Sequence, residues 1–160
     1  MKIIRYQDSA GRVGHASQQN DEAARVIEGD IFGDWTVTDA KADVQKLLAP
    51  VEPTVVIGIG LNYRGHAAET GAVIPEDPVM FIKMPGTLQH PGDPIVIPNV
   101  CDREEVDYEC ELAVVIGRAC TNVGRDDALS CVLGYTCAND VSARNWQKKR
   151  GGGQFCRGKG

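Results

Sequence analysis

Asp107-Tyr108-Glu109-Cys110-Glu111-Leu112-Ala113-Val114-Val115-Ile116-Gly117 is the stretch on which the reading of this chain turns. Its apolar and β-branched residues predict a β-strand over Val106–Ile116, and residues two apart on a strand share a face. Glu109 and Glu111 therefore point one way, and Tyr108, Cys110, Leu112 and Val114 the other. Two neighbouring carboxylates on a largely apolar strand repel each other and lose hydration. Something positive sits between them, or one keeps its proton. A divalent cation is the simplest occupant.

Downstream, Val132–Asn139 reads as a buried strand and Ser142–Arg150 as a helix stopped at Gly151-Gly152-Gly153. Asp140 lies at the junction, where a carboxylate can lean toward Glu109 and Glu111. Three carboxylates with waters suit a hard cation, Mg²⁺ or Mn²⁺, with Ca²⁺ behind them, whereas zinc would want His or Cys donors. Other roles are open to the same residues: Asp140 as a helix N-cap, and the glutamates as solvated groups on an edge strand. The residues alone leave the two readings level.

Two further pairs belong with this cluster. His66 and Glu69 are three apart on a short helical stretch, where a carboxylate can orient an imidazole for acid–base work; taken alone, a surface His–Glu pair is the plainer reading. Arg144 and Gln147 are also three apart and could offer a guanidinium fork and an amide to a substrate carboxylate, or form an exposed helix face. Lys159 by itself carries no meaning. Gly58-Ile59-Gly60 starts like a dinucleotide fingerprint, but Tyr63 occupies the third glycine position and no regular βαβ pattern follows, which argues against nucleotide binding.

The wider chain sets bounds. It has 160 residues and a net charge of −5, and its one cationic run, Lys148-Lys149-Arg150, reads as a solvated helix end, so nucleic-acid binding is disfavoured. No apolar run approaches the roughly 20 residues of a membrane span. Met1 leads into a strand pattern and not a signal peptide. The six cysteines lack any CxxC pair and read as free, mostly buried thiols of a cytoplasmic protein.

Residues 1–52 read as a small separate unit, with strands at Lys2–Tyr6, Ala24–Glu28 and Val44–Leu48, turn-rich Gly11, Gly14, Asn20 and Asp21, and loop acids Asp30, Asp34 and Asp39. Residues 53–160 form a second unit. Strands are predicted at Val55–Ile59, Val79–Lys83 and Ile95–Ile97, and a short helix opens at Asp126-Asp127-Ala128-Leu129. Gln154–Arg157 looks like a strand with no partner after it. Unpaired edges are a liability, so the expectation is an N-terminal part of something longer.

Five stretches, in this order, resemble the fumarylacetoacetate hydrolase (FAH) family: Gly60-Leu61-Asn62-Tyr63 with His66 and Glu69; Asp107–Gly117; Gly134-Tyr135-Thr136; Asn139-Asp140-Val141-Ser142-Ala143-Arg144; and Gly153-Gln154 with Arg157-Gly158-Lys159. The resemblance implies an α+β fold, a mixed β-sandwich roll preceded by a small β-rich N-terminal domain, assembled as a homodimer when complete. It implies Glu109, Glu111 and Asp140 as ligands of Mg²⁺ or Mn²⁺. His66 and Glu69 match an acid–base pair on a mobile segment, and Arg144, Gln147 and Lys159 match groups that hold substrate oxygens, with Lys159 also catalytic. Asn145 and Gly160 depart from the family pattern, where Asp and Ser or Thr are usual. Family members continue beyond this point with a β-rich segment that completes the roll.

The chemistry so implied is C–C bond hydrolysis of acylpyruvate-like 2-oxo or 1,3-dicarbonyl acids through a metal-stabilised enolate. Isomerisation of a hydroxymuconate-type diacid, as in aromatic-compound catabolism, and oxaloacetate decarboxylation share the site. A different class of reading is a non-catalytic homologue that only binds a small acid or dimerises.

Overall fold

The computed structural model describes residues 1–20 and 23–160. In chain order the strands and helices are β1 (Lys2–Gln7), β2 (Val13–Gln18), β3 (Arg25–Gly29), β4 (Trp35–Lys41), β5 (Lys46–Leu48), β6 (Val56–Gly60), α1 (Arg64–Thr70), β7 (Val79–Lys83), β8 (Val106–Asp107), β9 (Cys110–Ile116), β10 (Val132–Asn139), β11 (Ser142–Ala143) and α2 (Arg144–Gln147). Short 3₁₀ turns lie at Pro85–Thr87, Arg103–Glu105, Ala128–Cys131 and Phe155–Arg157. Contacts divide the chain into two compact units. One comprises residues 1–51, 89–95 and 110–139; the other comprises 52–88, 96–109 and 140–160.

In the first unit, β1–β5 form an antiparallel sheet in the order β4-β3-β2-β1-β5. Period-2 alternation puts Ile4, Tyr6 and Ala16 on the buried side, where they pack with Ala24, Ala42 and Val44. The β1–β2 turn is closed by Asp8, whose carboxylate accepts from the backbone of Ala10 and Arg12 and from Arg12 Nε at 2.8–2.9 Å. Lys46 pairs with Asp93 at 2.8 Å, and Ala49 N donates to His90 Nδ1 at 3.1 Å. β9 and β10 pair as a second antiparallel ladder, with Glu111 opposite Ala138 and Cys110 opposite Asn139.

The strands β2 and β4 depart from the expected turns and loops. Gly14 faces Tyr6 across the ladder, where a Cβ would lie 3.3 Å from the phenol oxygen, and Asp39 falls inside β4. Tertiary pairing overrides the weak strand propensity of these residues. Asp21, read as part of a turn, lies outside the described residues.

In the second unit, β6 and β7 pair antiparallel with Val56 opposite Lys83 and Gly58 opposite Phe81. Phe81 meets Phe155 edge-on at 5.6 Å. A Cβ on Gly58 would lie 2.2 Å from the Phe81 ring. That glycine is there for ring packing and not for a phosphate. β8 pairs with β11, Ser142 opposite Asp107.

Four predicted elements differ. The strand expected over Val106–Ile116 is interrupted at Tyr108-Glu109, giving β8 and β9. Ile95–Ile97 is not a strand: Pro94 and Pro98 flank it and neither can donate to a ladder. The helix expected over Ser142–Arg150 shrinks to α2, because Ser142 and Ala143 are taken into the ladder with β8. Gln154–Arg157 is a 3₁₀ turn and not a strand. No helix among the described residues is long and apolar enough to cross a membrane.

Candidate metal centre

The break after β8 is what positions the carboxylates. Asp140 N donates to Glu109 O at 2.9 Å, just past the last rung of the β9–β10 ladder. Glu111 follows two residues later on β9. Alternation holds as expected: Glu109 and Glu111 are half-buried, whereas Tyr108, Cys110, Leu112 and Val114 are exposed. Glu109, Glu111 and Asp140 each offer a carboxylate oxygen lying within 4.8 Å of the others. Two ligands at 2.0–2.1 Å from a Mg²⁺-sized ion are at most about 4.2 Å apart, so small side-chain rotations would close the trio on such an ion. The all-oxygen donor set fits a hard cation.

The two competing roles do not describe these residues. Asp140 does not cap α2, whose N-cap is Ala143; its side chain is 6% exposed. The glutamates are not solvated edge groups.

Positive charge is already supplied by the chain. Lys159 Nζ, 3% exposed, donates to Glu109 Oε2 at 2.5 Å and to Asp140 Oδ2 at 2.8 Å. These two carboxylates satisfy an ammonium that burial would otherwise leave without partners. Lys83 Nζ donates to Asp140 Oδ1 at 2.5 Å. Arg144 reaches Asp107 Oδ2 through Nε and Nη2 at 3.0 and 2.7 Å, Glu109 Oε1 at 2.5 Å and Gln147 Oε1 at 3.1 Å. Burial would lower the Arg144 pKa, but its hydrogen bonds to Asp107 and Glu109 more than offset this and raise it. The same guanidinium holds the Asp107 carboxyl below its ordinary value.

Local sequence explains this delivery. A Cβ on Gly158 would lie 2.3 Å from Gln147 N and 2.8 Å from Ala143 O. Only glycine permits that approach, and Ala143 N donates to Gly158 O at 2.7 Å. Lys159 is thereby threaded beside the start of α2. The helix is fastened by Trp146, whose Nε1 donates to Val100 O at 3.3 Å and whose ring lies 5.8 and 5.3 Å from the guanidinium carbons of Arg150 and Arg157. Arg150 is therefore more than the solvated helix end expected.

The structure thus brings together Glu109, Glu111, Asp140, Arg144, Gln147 and Lys159. His66 and Glu69 sit exposed on α1, with no hydrogen bond or ion pair between their side chains among the described residues. Lys83 is the group that sequence reasoning missed. Its signal was a lysine at the end of Val79-Met80-Phe81-Ile82-Lys83, two residues from Phe81 and so on the packed face of a strand.

Residues 55–160 match the family described as fumarylacetoacetate (FAA) hydrolase C-terminal, and residues 1–50 match that described as Rv2993c-like, N-terminal. The chain is 47% identical over 114 residues to a fumarylacetoacetate hydrolase domain-containing protein 2 homolog of Dictyostelium discoideum, covering 71% of this chain and 37% of that protein. It is 46% identical over 114 residues to the mitochondrial oxaloacetate tautomerase fahd2 of Xenopus laevis, covering 71% and 35%. Among solved structures, a 5-carboxymethyl-2-hydroxymuconate delta-isomerase from Mycobacterium smegmatis superposes with a TM-score of 0.84 at 38% identity, covering all of this chain and 62% of that one. The chain spans little more than a third of the two curated relatives and about three fifths of the isomerase.

Proposed function

This chain belongs to the fumarylacetoacetate hydrolase family and has its mixed α+β fold, and on that premise we propose that it is the part of a metal-dependent enzyme that cleaves C–C bonds in acylpyruvate-like 2-oxo or 1,3-dicarbonyl acids. One observation carries the reading: three carboxylates within 4.8 Å of one another, ringed by Lys83, Arg144 and Lys159. Glu109, Glu111 and Asp140 would hold Mg²⁺ or Mn²⁺. An ion held there would supply Lewis acidity toward the substrate.

The residues around the trio give the rest. Four carboxylates (Asp107, Glu109, Glu111 and Asp140) meet three cations, leaving one negative charge in excess. A divalent ion would turn that excess positive, the sign that attracts an anionic acid. Lys159 would counter negative charge developing on the substrate, and Arg144 with Gln147 would hold its carboxylate. His66, oriented by Glu69, would activate water or carry a proton once α1 approaches the substrate. In this reading residues 1–52 are a small N-terminal domain and 53–160 the first part of the catalytic domain, which the separate matches to 1–50 and 55–160 support. The complete protein would be a cytoplasmic homodimer.

A second reading keeps the site and changes the reaction to proton transfer, that is, tautomerisation or isomerisation. Similarity to the Xenopus laevis oxaloacetate tautomerase and the Mycobacterium smegmatis delta-isomerase favours it. Assaying the purified chain with Mg²⁺ against an acylpyruvate, oxaloacetate and a hydroxymuconate-type diacid separates them. Acylpyruvate cleavage abolished by Glu109→Ala supports hydrolysis, and enol–keto exchange without cleavage supports the second reading. Turnover that persists without metal contradicts both.

A further inference from the structure

The strand β7 carries two residues to the carboxylate cluster. Phe81 and Lys83 are two apart and share its less exposed face. Lys83 meets the cluster through Asp140. Phe81 meets it through a cation: the Lys159 ammonium lies over its ring, Nζ 5.4 Å from the centroid. That is within the roughly 6 Å reach of a cation–π contact, which gains strength out of water. Lys159 is almost fully buried.

The ring has little freedom to turn away. Gly58 stands opposite it on β6, where a Cβ would lie 2.2–2.7 Å from three of its carbons. Phe155, four residues before Lys159, meets it with an interplanar angle of 65°.

Cations already occupy every oxygen of Glu109 and Asp140. Arg144 donates to Glu109 Oε1 and Lys83 to Asp140 Oδ1, while Lys159 takes Glu109 Oε2 and Asp140 Oδ2. Lys159 therefore bridges the two carboxylates, and a divalent ion held by both competes with it.

We propose that Phe81 is a positioning residue for Lys159, its ring holding the ammonium in the site when Glu109 and Asp140 turn their oxygens to a metal ion.

This deepens the metal-centre reading and rests on it. Without an ion, two carboxylates stabilise the ammonium and the ring adds little. Once those oxygens serve an ion, the ammonium faces a like charge, and the negative face of the ring gains weight as its partner. A phenyl ring attracts a cation without offering a lone pair to the metal. An apolar side chain of similar bulk would fill the space and leave the buried ammonium poorly compensated. Held by the ring, Lys159 stays available to counter negative charge on the substrate.

A double-variant cycle separates this role from packing. Mn²⁺ affinity of the 160-residue chain is read by electron paramagnetic resonance for Phe81→Leu, Lys159→Met and the two combined. Phe81→Ile, ringless and strand-favouring, and Lys159→Gln repeat the cycle with different side chains. Phe81→Leu should weaken Mn²⁺ binding about fivefold when Lys159 is present. In the Lys159→Met background it should change binding by less than about twofold. Equal losses in both backgrounds would make Phe81 a packing residue only. Unchanged affinity in Phe81→Leu would remove it from the site. Either result overturns the proposal and leaves the metal reading standing. A parent chain that binds no Mn²⁺ at millimolar ion would overturn both.

Discussion

Lys159 is the residue that most sharply separates metal binding from catalysis. It bonds to two of the three candidate ligands, Glu109 and Asp140, so an incoming cation competes with it for the same oxygens. Lys159→Met should therefore leave Mn²⁺ affinity unchanged or tighter while lowering turnover by about 10²-fold, the scale of losing one preorganised charge stabiliser. Titration calorimetry beside steady-state rates checks this; a parallel loss of affinity would make Lys159 a builder of the site and not a participant. His66→Ala should slow hydrolysis and leave metal affinity intact. At this scale the sequence was legible where geometry is local. Glu109 and Glu111 share a face because strands alternate, and Asp140 follows the partner strand. Lys83 escaped because its role depends on the β6–β7 pairing and on Asp140, 57 residues away. The cysteines escaped differently: expected to be mostly buried, four are exposed and one is half-buried, leaving only Cys131 buried.

Among the elements, the β6–β7 pair shows what glycine contributes. Gly58→Ala would drive a Cβ into the Phe81 ring, an overpacking expected to cost about 1–3 kcal/mol. Urea denaturation of Gly58→Ala, Phe81→Leu and the double variant checks it: the double variant should lose less than the two single losses added together. Additive losses would mean that the ring moves freely aside. The β1–β2 turn carries an acid-labile contact. Backbone and side-chain hydrogen bonds from Arg12 and a backbone bond from Ala10 hold Asp8 below the ordinary value of 3.8, and bonds from Ser9 and Gln45 do the same for Asp43. Groups with depressed folded-state pKa values contribute stability that is fully present above the unfolded value and lost as pH falls through the folded one. Melting of the N-terminal sheet should therefore drop below pH ~4, and Asp8→Asn should flatten that slope. Apolar runs such as Val79–Lys83 and Val132–Asn139 matched their strands because their β-branched and aromatic residues favour extended backbone, although Val132–Asn139, expected to be buried, has no buried residue. β2 and β4 did not announce themselves, because neighbours across the sheet and not their own residues make them strands.

For the whole molecule, the notable quantity is apolar surface left open within each unit. On β9 and β10 the face formed by Leu112, Val114, Ile116 and Tyr135 is 48–61% exposed. On β6 and β7, Ile57, Met80 and Ile82 are 51–63% exposed. Surfaces of this kind promote association or partner binding. The chain by itself should enhance the fluorescence of an apolar dye and self-associate at micromolar concentration. Leu112→Lys with Val114→Lys should reduce both, as read by dye titration and light scattering; a monomeric, dye-silent chain would show that these faces are shielded in solution.

The central claim is that Glu109, Glu111 and Asp140 grip one hard divalent ion. Mn²⁺ titration followed by electron paramagnetic resonance tests it most directly. One ion should bind per chain, with Glu109→Gln, Glu111→Gln and Asp140→Asn each weakening binding by at least about tenfold, roughly 1.4 kcal/mol. Saturable Mn²⁺ binding that is indifferent to all three substitutions, or no binding at millimolar ion, would contradict it.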